Sequence, residues 1–276
     1  MPGNVVALSV LVPWKDRDEL EHTLELNRAA FEAAGAEALV LNCGGDRAAL
    51  VRMKQRLGIP YLRLVETTQD TFNKSLGFNI GTRFARADRL FMMDSDVLLP
   101  PDLLVEMLRR LQDGVFVTVE WMQESASPPM QREKPWTETI RTNVMEFRFP
   151  DGTTRSVLTH RYSVTTQRRS GLSLLLLEKS SFLAVDGFHS GIGSWGWEDN
   201  DFHLRLQWRL GLKVVEHGTV LHLTHDDARR ALGGKTQMES LNANLLAAVA
   251  RYEQGDLQGT CEADQAQWGE AAYEVM

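Results

Sequence analysis

The feature that most constrains the fold is an apolar run that ends in two carboxylates one residue apart. Residues 90–93 (Leu-Phe-Met-Met) lead directly into Asp94 and Asp96, and Pro100 and Pro101 close the segment. A continuous apolar run of this length is typical of a strand buried on both faces in a parallel sheet. The carboxylates then lie at its carboxyl end, where open α/β sheets bind ligands. Taken alone, an Asp-x-Asp tripeptide is too common to exclude a turn that simply caps the helix starting near Pro101.

The residues before this run alternate between short apolar strands and amphipathic helices. Strands are predicted over 7–12, 38–42 and 61–65, and helices over 18–34, 44–58 and 72–86. A further helix after Pro101 reaches Leu111, and a strand is predicted over 115–121. This alternation predicts an α/β fold with a mostly parallel, right-handed twisted sheet flanked by helices.

Composition and charge exclude several classes of protein. The 276 residues carry a net charge of −7, so there is no excess of Lys and Arg for general nucleic-acid binding. The longest apolar runs, such as residues 172–177, are too short to span a bilayer. Cys43 and Cys261 show no metal or redox spacing. We therefore expect a cytoplasmic protein without a membrane span.

The residue composition and the hydrophobic pattern of the chain change between residues 122 and 170. Proline, threonine, arginine and scattered aromatic residues replace the α/β alternation, and Asp151-Gly152 predicts a hairpin turn. We interpret 122–170 as an acceptor-side insertion over the carboxyl edge of the sheet, within a single domain of residues 1–254. The composition of 255–276 predicts a tail that is mobile or loosely packed.

A second candidate for chemistry is a loop rich in glycine and tryptophan that leads into an acidic helix start. Trp195 and Trp197 flank Gly196, and Glu198 and Asp199 follow. Acids in a first turn are favoured by the helix dipole, so ordinary capping is one explanation. Aromatic faces beside carboxylates are also typical of sugar-binding clefts. A carboxylate beside an acceptor hydroxyl can take its proton during attack.

The third candidate is a pair of histidines that ends a predicted strand. His222 and His225 lie within one turn and are followed by acids. With Asp94 and Asp96 they would form a mixed oxygen and nitrogen shell suited to Mn²⁺, with Mg²⁺ as an alternative. A metal there would bridge a nucleotide diphosphate. No Walker-type phosphate loop occurs, which argues against ATP cleavage of that kind.

These motifs together resemble the metal-dependent GT-A glycosyltransferases. The similarity is greatest to the β-1,4-galactosyltransferase and chondroitin-polymerase-like branch and looser to the polypeptide GalNAc-transferases. It rests on five segments in the family's order: 12–17, 72–74, 94–96, 187–199 and 222–225. The resemblance implies a GT-A fold and a UDP-sugar donor.

The resemblance also implies roles for residues of the donor site. Pro13, Asp16 and Arg17 match a loop that holds base and ribose. Phe72 and Lys74 match a Phe-Asn-Arg element near uridine and phosphate, although lysine lacks the bidentate geometry of arginine. Asp94, Ser95 and Trp195 are assigned to the donor site as well.

Metal-binding and catalytic roles follow from the same resemblance. Asp96 and His225 match metal ligands, and Asp94 matches the first aspartate, which faces the nucleotide sugar and completes our metal set. His222 stands where the galactosyltransferases use methionine. Asp199 matches the catalytic base of inverting members, and Glu198 matches a sugar-contacting acid.

Several readings remain open at the level of sequence. The leading one is an inverting transfer of a sugar to an acceptor hydroxyl. The alternatives are a retaining glycosyltransferase, a metal-dependent nucleotidyltransferase and a non-catalytic sugar-binding module. The acceptor is a glycan, a peptide, a lipid-linked sugar or a small molecule, and we expect no nucleic-acid partner.

Overall fold

The computed structural model describes residues 6–67, 71–126, 137–193, 195–225, 234–268 and 270–275. The strands are β1 Leu8–Trp14, β2 Ala36–Asn42, β3 Leu62–Glu66, β4 Arg89–Met92, β5 Val97–Leu98, β6 Val115–Glu124, β7 Ile140–Arg148, β8 Thr154–Ser163, β9 Arg169–Glu178, β10 Lys213–His222 and β11 Tyr273–Val275. The helices are α1 Glu19–Leu26, α2 Arg28–Ala33, α3 Arg47–Leu57, α4 Lys74–Phe84, α5 Leu103–Arg110, α6 Lys179–Ala184, α7 Glu198–Leu210, α8 Gln237–Tyr252 and α9 Cys261–Trp268.

The strands form one 11-stranded sheet with the order β11-β3-β2-β1-β4-β9-β6-β10-β5, and the β7–β8 hairpin extends from β9. Strands β3, β2, β1 and β4 are parallel, as are β6 and β10. Strand β9 returns antiparallel between β4 and β6. The α/β prediction is therefore confirmed, but the sheet is mixed because β9 reverses direction at its centre.

Helices cover both faces of the sheet. Val10 and Val12 of β1 pack into one apolar cluster with α1, α2, α3 and α5, whereas Leu11 packs into the other with α4, α6 and α7. All seven residues of β1 are buried, as expected for a central parallel strand. The loops at the carboxyl ends of the parallel strands then converge on one edge.

The predicted helix over 18–34 is two helices that meet at the buried Asn27. The Asn27 amide donates to the carbonyl of Val97 at 2.8 Å and accepts from the amide of Leu99 at 2.8 Å. This side chain therefore fixes the backbone that follows Asp96, which the helical periodicity of 18–34 did not indicate.

The segment interpreted as an insertion contains the long hairpin β7–β8, with its turn at Asp151-Gly152 as predicted. Its inner face forms a third apolar cluster with α7 and α8, in which Phe147, Val157 and Tyr252 are buried. Residues 127–136 of this segment lie outside the described ranges. The domain boundaries drawn from sequence remain a prediction.

The expectation of a loosely packed tail was wrong. Helix α9 packs against α4, and β11 pairs antiparallel with β3. Arg63 of β3 donates to Glu274 at 2.8 and 2.6 Å and to the buried Glu37 at 2.7 Å. These polar contacts hold the tail together with the buried side chains of Cys261 and Val275, which belong to the two main apolar clusters. In the described ranges, no helix has both the length and the apolar character that a membrane crossing requires.

Candidate active site

The chain leaves the sheet where the two aspartates begin. Strand β4 ends at Met92, and the amide of Met93 still donates to Leu11 of β1. The following turn presents Asp94, which is partly exposed, and Asp96, which is buried. The sequence predicted a strand that ends at the two aspartates, and the chain does turn there before it re-enters the sheet as β5. The turn separates the two carboxylates into different environments.

Asp96 lies with both predicted histidines. One ligand atom each from Asp96, His222 and His225 lies within 4.8 Å of the other two. Nε2 of His222 is 3.5 Å from Oδ1 of Asp96, and Nε2 of His225 is 3.3 Å from Oδ2. Burial opposes ionisation of Asp96, but the hydrogen bond from His225 and the charges of the histidines and Arg17 hold its pKa below the usual value.

The donor set suits a transition-metal ion. Oδ1 of Asp96 is buried and accepts no hydrogen bond from any residue in the described ranges. A buried carboxylate oxygen of this kind is costly unless a cation lies beside it. Two imidazoles and one carboxylate are ligands that Mn²⁺ accepts. Asp94, which we also predicted as a ligand, is not in this three-residue group.

The sequence reasoning missed Glu124 at the end of β6. In the parallel register of β6 and β10, Glu124 lies opposite His222, and its Oε2 is 2.8 Å from Nδ1 of His222. Arg169 donates to its other oxygen at 3.0 Å, and Thr224 donates to Oε2 at 3.1 Å. Burial would raise the pKa of Glu124, but His222 and Arg169 lower it to about 2. One signal for this role was available in the sequence. Glu124 is a polar residue just beyond the end of a predicted strand, and such a residue can lie beside a candidate ligand on the neighbouring strand.

A second cluster gathers three carboxylates around one ammonium. Nζ of Lys74 lies 2.9 Å from Asp199, 3.1 Å from Glu198 and 3.9 Å from Asp94. Burial alone would lower the pKa of Lys74, but Asp199 and the other two carboxylates raise it well above its usual range. The sequence had assigned Lys74 to phosphate, whereas its charge is engaged here by the candidate catalytic acids.

Asp199 is the acid whose protonation is shifted furthest in this cluster. Burial raises its pKa to about 7; Glu198 and Asp94 add to the rise and Lys74 opposes it. Three carboxylates exceed the charge of one lysine, so holding a proton near neutral pH relieves their repulsion. An aspartate in this condition can exchange a proton near physiological pH.

A buried ion-pair network fixes the start of α7. Asp201 accepts from Arg205 at 2.8 Å, from Arg251 at 2.8 Å and from the hydroxyl of Tyr252 at 2.6 Å. Arg205 has no exposed surface and also donates to the carbonyls of residues 185 and 187. The network joins α7, α8 and the loop that precedes the site, so it sets the position of residues 198 and 199.

The tryptophan loop is held by its backbone. Ser240 donates to the carbonyl of Trp195 at 2.6 Å, and Asn244 donates to the carbonyl of Gly196 at 2.8 Å. Trp197 adopts a left-handed conformation (φ 75°), which is strained for a side chain of this size, and it is buried against Phe147. The third apolar cluster therefore holds this strained turn in place.

All eight predicted donor-site residues line one cleft of about 1440 Å³. They are Pro13, Asp16, Arg17, Phe72, Lys74, Asp94, Ser95 and Trp195. Asp96, Glu198, Asp199 and His222 line the same cleft, which the β7–β8 hairpin and α8 close on the other side. One oxygen of Asp16 accepts from the amide of Asp46 at 2.7 Å, so this carboxylate also anchors the loop before α3.

One protein-family model matches residues 155–226, and it describes the N-terminal domain of galactosyltransferase. The matched segment runs from β8 to just beyond His225, so it contains Glu198, Asp199 and both histidines. A comparison with curated proteins returns no match.

Solved structures of glycosyltransferases share the fold. GalNAc-T7 with UDP, GalNAc and Mn²⁺ aligns with a TM-score of 0.57 and 12% identity over 90% of this chain and 48% of that one. The mannosyltransferase PcManGT from Pyrobaculum calidifontis, in complex with GDP-Man and Mn²⁺, aligns with a TM-score of 0.54 and 14% identity over 96% of this chain and 75% of that one. The Drosophila β1,4-galactosyltransferase 7 with xylobiose aligns with a TM-score of 0.49 and 19% identity over 85% of this chain and 79% of that one.

The chain therefore has the fold of the GT-A glycosyltransferases. Within that class, its segment 155–226 is galactosyltransferase-like, and this match indicates a nucleotide-sugar-dependent glycosyltransferase. The resemblance predicted from the motifs is confirmed.

Proposed function

We propose that the protein is a metal-dependent, inverting glycosyltransferase that moves a sugar from a UDP-sugar to an acceptor hydroxyl. The observation that carries this proposal is the convergence of two clusters on one cleft. The group Asp96, His222 and His225 provides ligands for Mn²⁺, and the carboxylates around Lys74 provide proton-transfer chemistry. A non-catalytic sugar-binding module would require neither cluster.

The donor is expected to lie between the first-strand loop and the aspartate turn. A Mn²⁺ ion bound there would supply positive charge against the diphosphate. Arg17 lies close enough to Asp96 to affect its pKa, and it is one of the residues that line the cleft. We assign Arg17 to the phosphates, Pro13, Asp16 and Phe72 to the nucleoside, and Ser95 and Trp195 to the wider donor site.

Asp199 is the proposed general base. Its raised pKa leaves it ready to take a proton from an acceptor hydroxyl near neutral pH. Lys74 now binds both of its oxygens, so the ammonium must shift toward Glu198 or Asp94 for Asp199 to accept that proton. Glu198 has a buried oxygen without a hydrogen-bond partner in the described ranges, and we assign that oxygen to a sugar hydroxyl.

Calorimetry of UDP binding with and without Mn²⁺, on the wild type and on Asp96→Ala, tests the metal part of this proposal. We expect binding that depends on the metal and is lost in the variant. Binding indifferent to both would contradict the metal site. A screen of donor sugars follows, and NMR of the product then decides the stereochemistry. A product that keeps the anomeric configuration of the donor would exclude the inverting mechanism, and release of pyrophosphate would indicate a nucleotidyltransferase instead.

The acceptor side of the cleft is formed by the hairpin and α8. Asn143, Thr159 and His160 present polar groups there, whereas Met145 and Leu245 are apolar. A glycan or glycan-like acceptor with polar and apolar faces suits such walls. The cytoplasmic location expected from sequence stays a prediction.

A further inference from the structure

Glu124 is not itself a candidate metal ligand, but it contacts one directly. Its Oε2 is 2.8 Å from Nδ1 of His222, while Nε2 of the same ring faces Asp96. Oε1 of Glu124 accepts from Arg169 and Oε2 accepts from Thr224, so this carboxylate is placed as an acceptor for Nδ1 of His222 as well. With the hydrogen on Nδ1, the lone pair of Nε2 is directed at Asp96 and the metal group.

The position of Glu124 is fixed from three sides. Arg169 donates to Oε1 at 3.0 Å, and the hydroxyl of Thr224 donates to Oε2 at 3.1 Å. The parallel register of β6 with β10 places Glu124 directly opposite His222. The carboxylate is thus bound by groups on β9 and on the loop after β10 as well as by the imidazole. Such an arrangement leaves little freedom for the ring to rotate or to change tautomer.

We propose that Glu124 is a positioning residue that holds His222 in the Nδ1-protonated tautomer and thereby biases the site toward Mn²⁺ over Mg²⁺. A carboxylate that accepts from the far side of a ligating imidazole orients the ring and increases its basicity. Stronger nitrogen donation favours ions that accept imidazole, whereas Mg²⁺ prefers oxygen ligands and water. This inference rests on the metal site of the proposed function and adds the residue that tunes it.

The test measures binding of Mn²⁺ alone and of Mg²⁺ alone by calorimetry. We expect Glu124→Leu, which removes the acceptor, to weaken Mn²⁺ binding about 10- to 100-fold. The affinity for Mg²⁺ should fall less, so the ratio of the Mn²⁺ affinity to the Mg²⁺ affinity should decrease. Glu124→Gln keeps an acceptor oxygen without charge, and a smaller loss is expected. Glu120→Gln, on the same strand but outside the metal group, is the matched control and should bind both ions as the wild type does.

A second readout reports the tautomer without any metal or activity. Long-range ¹H–¹⁵N spectra of histidine-labelled protein, with His222 assigned through His222→Gln, should show its proton on Nδ1 in the wild type and in Glu124→Gln. In Glu124→Leu this preference should be lost. If Glu124→Leu fails to fold, the calorimetry and spectra of Glu124→Gln and His222→Gln decide the question.

The possible failures are distinguishable. An unchanged tautomer together with an affinity ratio within twofold of the wild type in Glu124→Leu overturns the role of Glu124. Wild-type affinity for Mn²⁺ in His222→Gln overturns it as well, because His222 is then no ligand. If the wild type binds neither ion, the metal site of the proposed function fails and the inference with it.

Discussion

Nζ of Lys74 donates to both carboxylate oxygens of Asp199, at 3.0 and 2.9 Å. The first residue of α4 thus contacts the second residue of α7 inside the cleft. The contact balances part of the charge of three acids, and it also occupies the residue proposed as general base. Stability and catalysis therefore depend on the same ion pair.

Replacement of Lys74 by methionine should destabilise the protein by about 2–4 kcal/mol at pH 8, because Asp199, Glu198 and the partly exposed Asp94 lose their cation. The loss should be smaller at pH 5, because Asp199, whose pKa is raised to about 7, is protonated there. Urea unfolding at both pH values measures this difference. Lys213→Met, at an exposed position of β10, is the control and should change stability by less than about 0.5 kcal/mol. Equal losses at the two pH values would show that repulsion between the acids is not the cause.

Asp199→Asn should abolish transfer without abolishing UDP binding. The amide cannot accept the hydroxyl proton, so a fall of about 10²- to 10⁴-fold in turnover is expected. Calorimetry with Mn²⁺ and UDP should give an affinity close to that of the wild type, since the metal group lies on other residues. Turnover retained within about fivefold would exclude Asp199 as the base.

The same variant should also change how stability depends on pH. The pKa of Asp199 is raised from 3.8 to about 7 in the folded protein, so the folded state binds more protons between these values. Wild-type stability therefore falls as pH rises from about 4 to 7, relative to Asp199→Asn, and the difference levels off above pH 7. We expect a relative change on the order of 2–4 kcal/mol by urea unfolding. A difference that stays flat over this range would contradict the raised pKa.

Removal of the buried arginine of α7 should be far more costly than removal of an exposed one. Arg205→Met leaves Asp201 without one of its two arginine partners and removes a donor from two buried carbonyls, so a loss of about 3–5 kcal/mol is expected. The control is Arg56→Met, whose bidentate pair with Glu21 lies at the surface and should contribute little to stability. Chemical denaturation compares the two, and similar losses would show that the buried network adds nothing.

The tail should influence the site through Asp264. Its carboxylate accepts from Asn79 at 2.7 Å and from Ser190 at 2.8 Å, and the carbonyl of Ser190 accepts from the side chain of Asn73. Asn73 caps the helix that begins with Lys74. Asp264→Ala should therefore speed amide hydrogen exchange in residues 186–193.

Glu262→Ala, exposed on the same helix, is the matched control for this measurement. If the amide hydrogens of residues 186–193 exchange at the same rate in Asp264→Ala and Glu262→Ala, the tail does not influence the site through Asp264.

The sequence predicted well those features that depend on local pattern. The apolar run before Asp94 predicted that the aspartates follow a strand at the carboxyl edge of the sheet, and the pair His222 and His225 was recognisable from its spacing; the structure brings both rings beside Asp96. The position of Glu124 depends on the register between two strands that are 98 residues apart at that point. The contact of Lys74 with Asp199 depends likewise on the packing of two distant helices. No local pattern carries such information.

Asn27 and the tail also show that local sequence patterns do not reveal contacts between distant segments. Helical periodicity favours one continuous helix over 18–34, and helical backbone hydrogen bonds do run through Asn27 between α1 and α2; its side-chain amide also bonds two backbone groups beyond Asp96. The tail lacks an apolar stripe, yet hydrogen bonds and the buried side chains of Cys261 and Val275 hold it against the sheet and α4. Both features require the tertiary structure before their sequences can be interpreted.

The pairing of β11 with β3 also has a consequence for the behaviour of the protein in solution. Without β11, the backbone amides and carbonyls of β3 would form an open sheet edge beside the buried residues Leu64 and Val65. Open edges of this kind recruit strands from other molecules and promote aggregation. The three residues 273–275 thus cover the edge of β3 and oppose self-association. A chain shortened before residue 273 should aggregate even if its active site is intact.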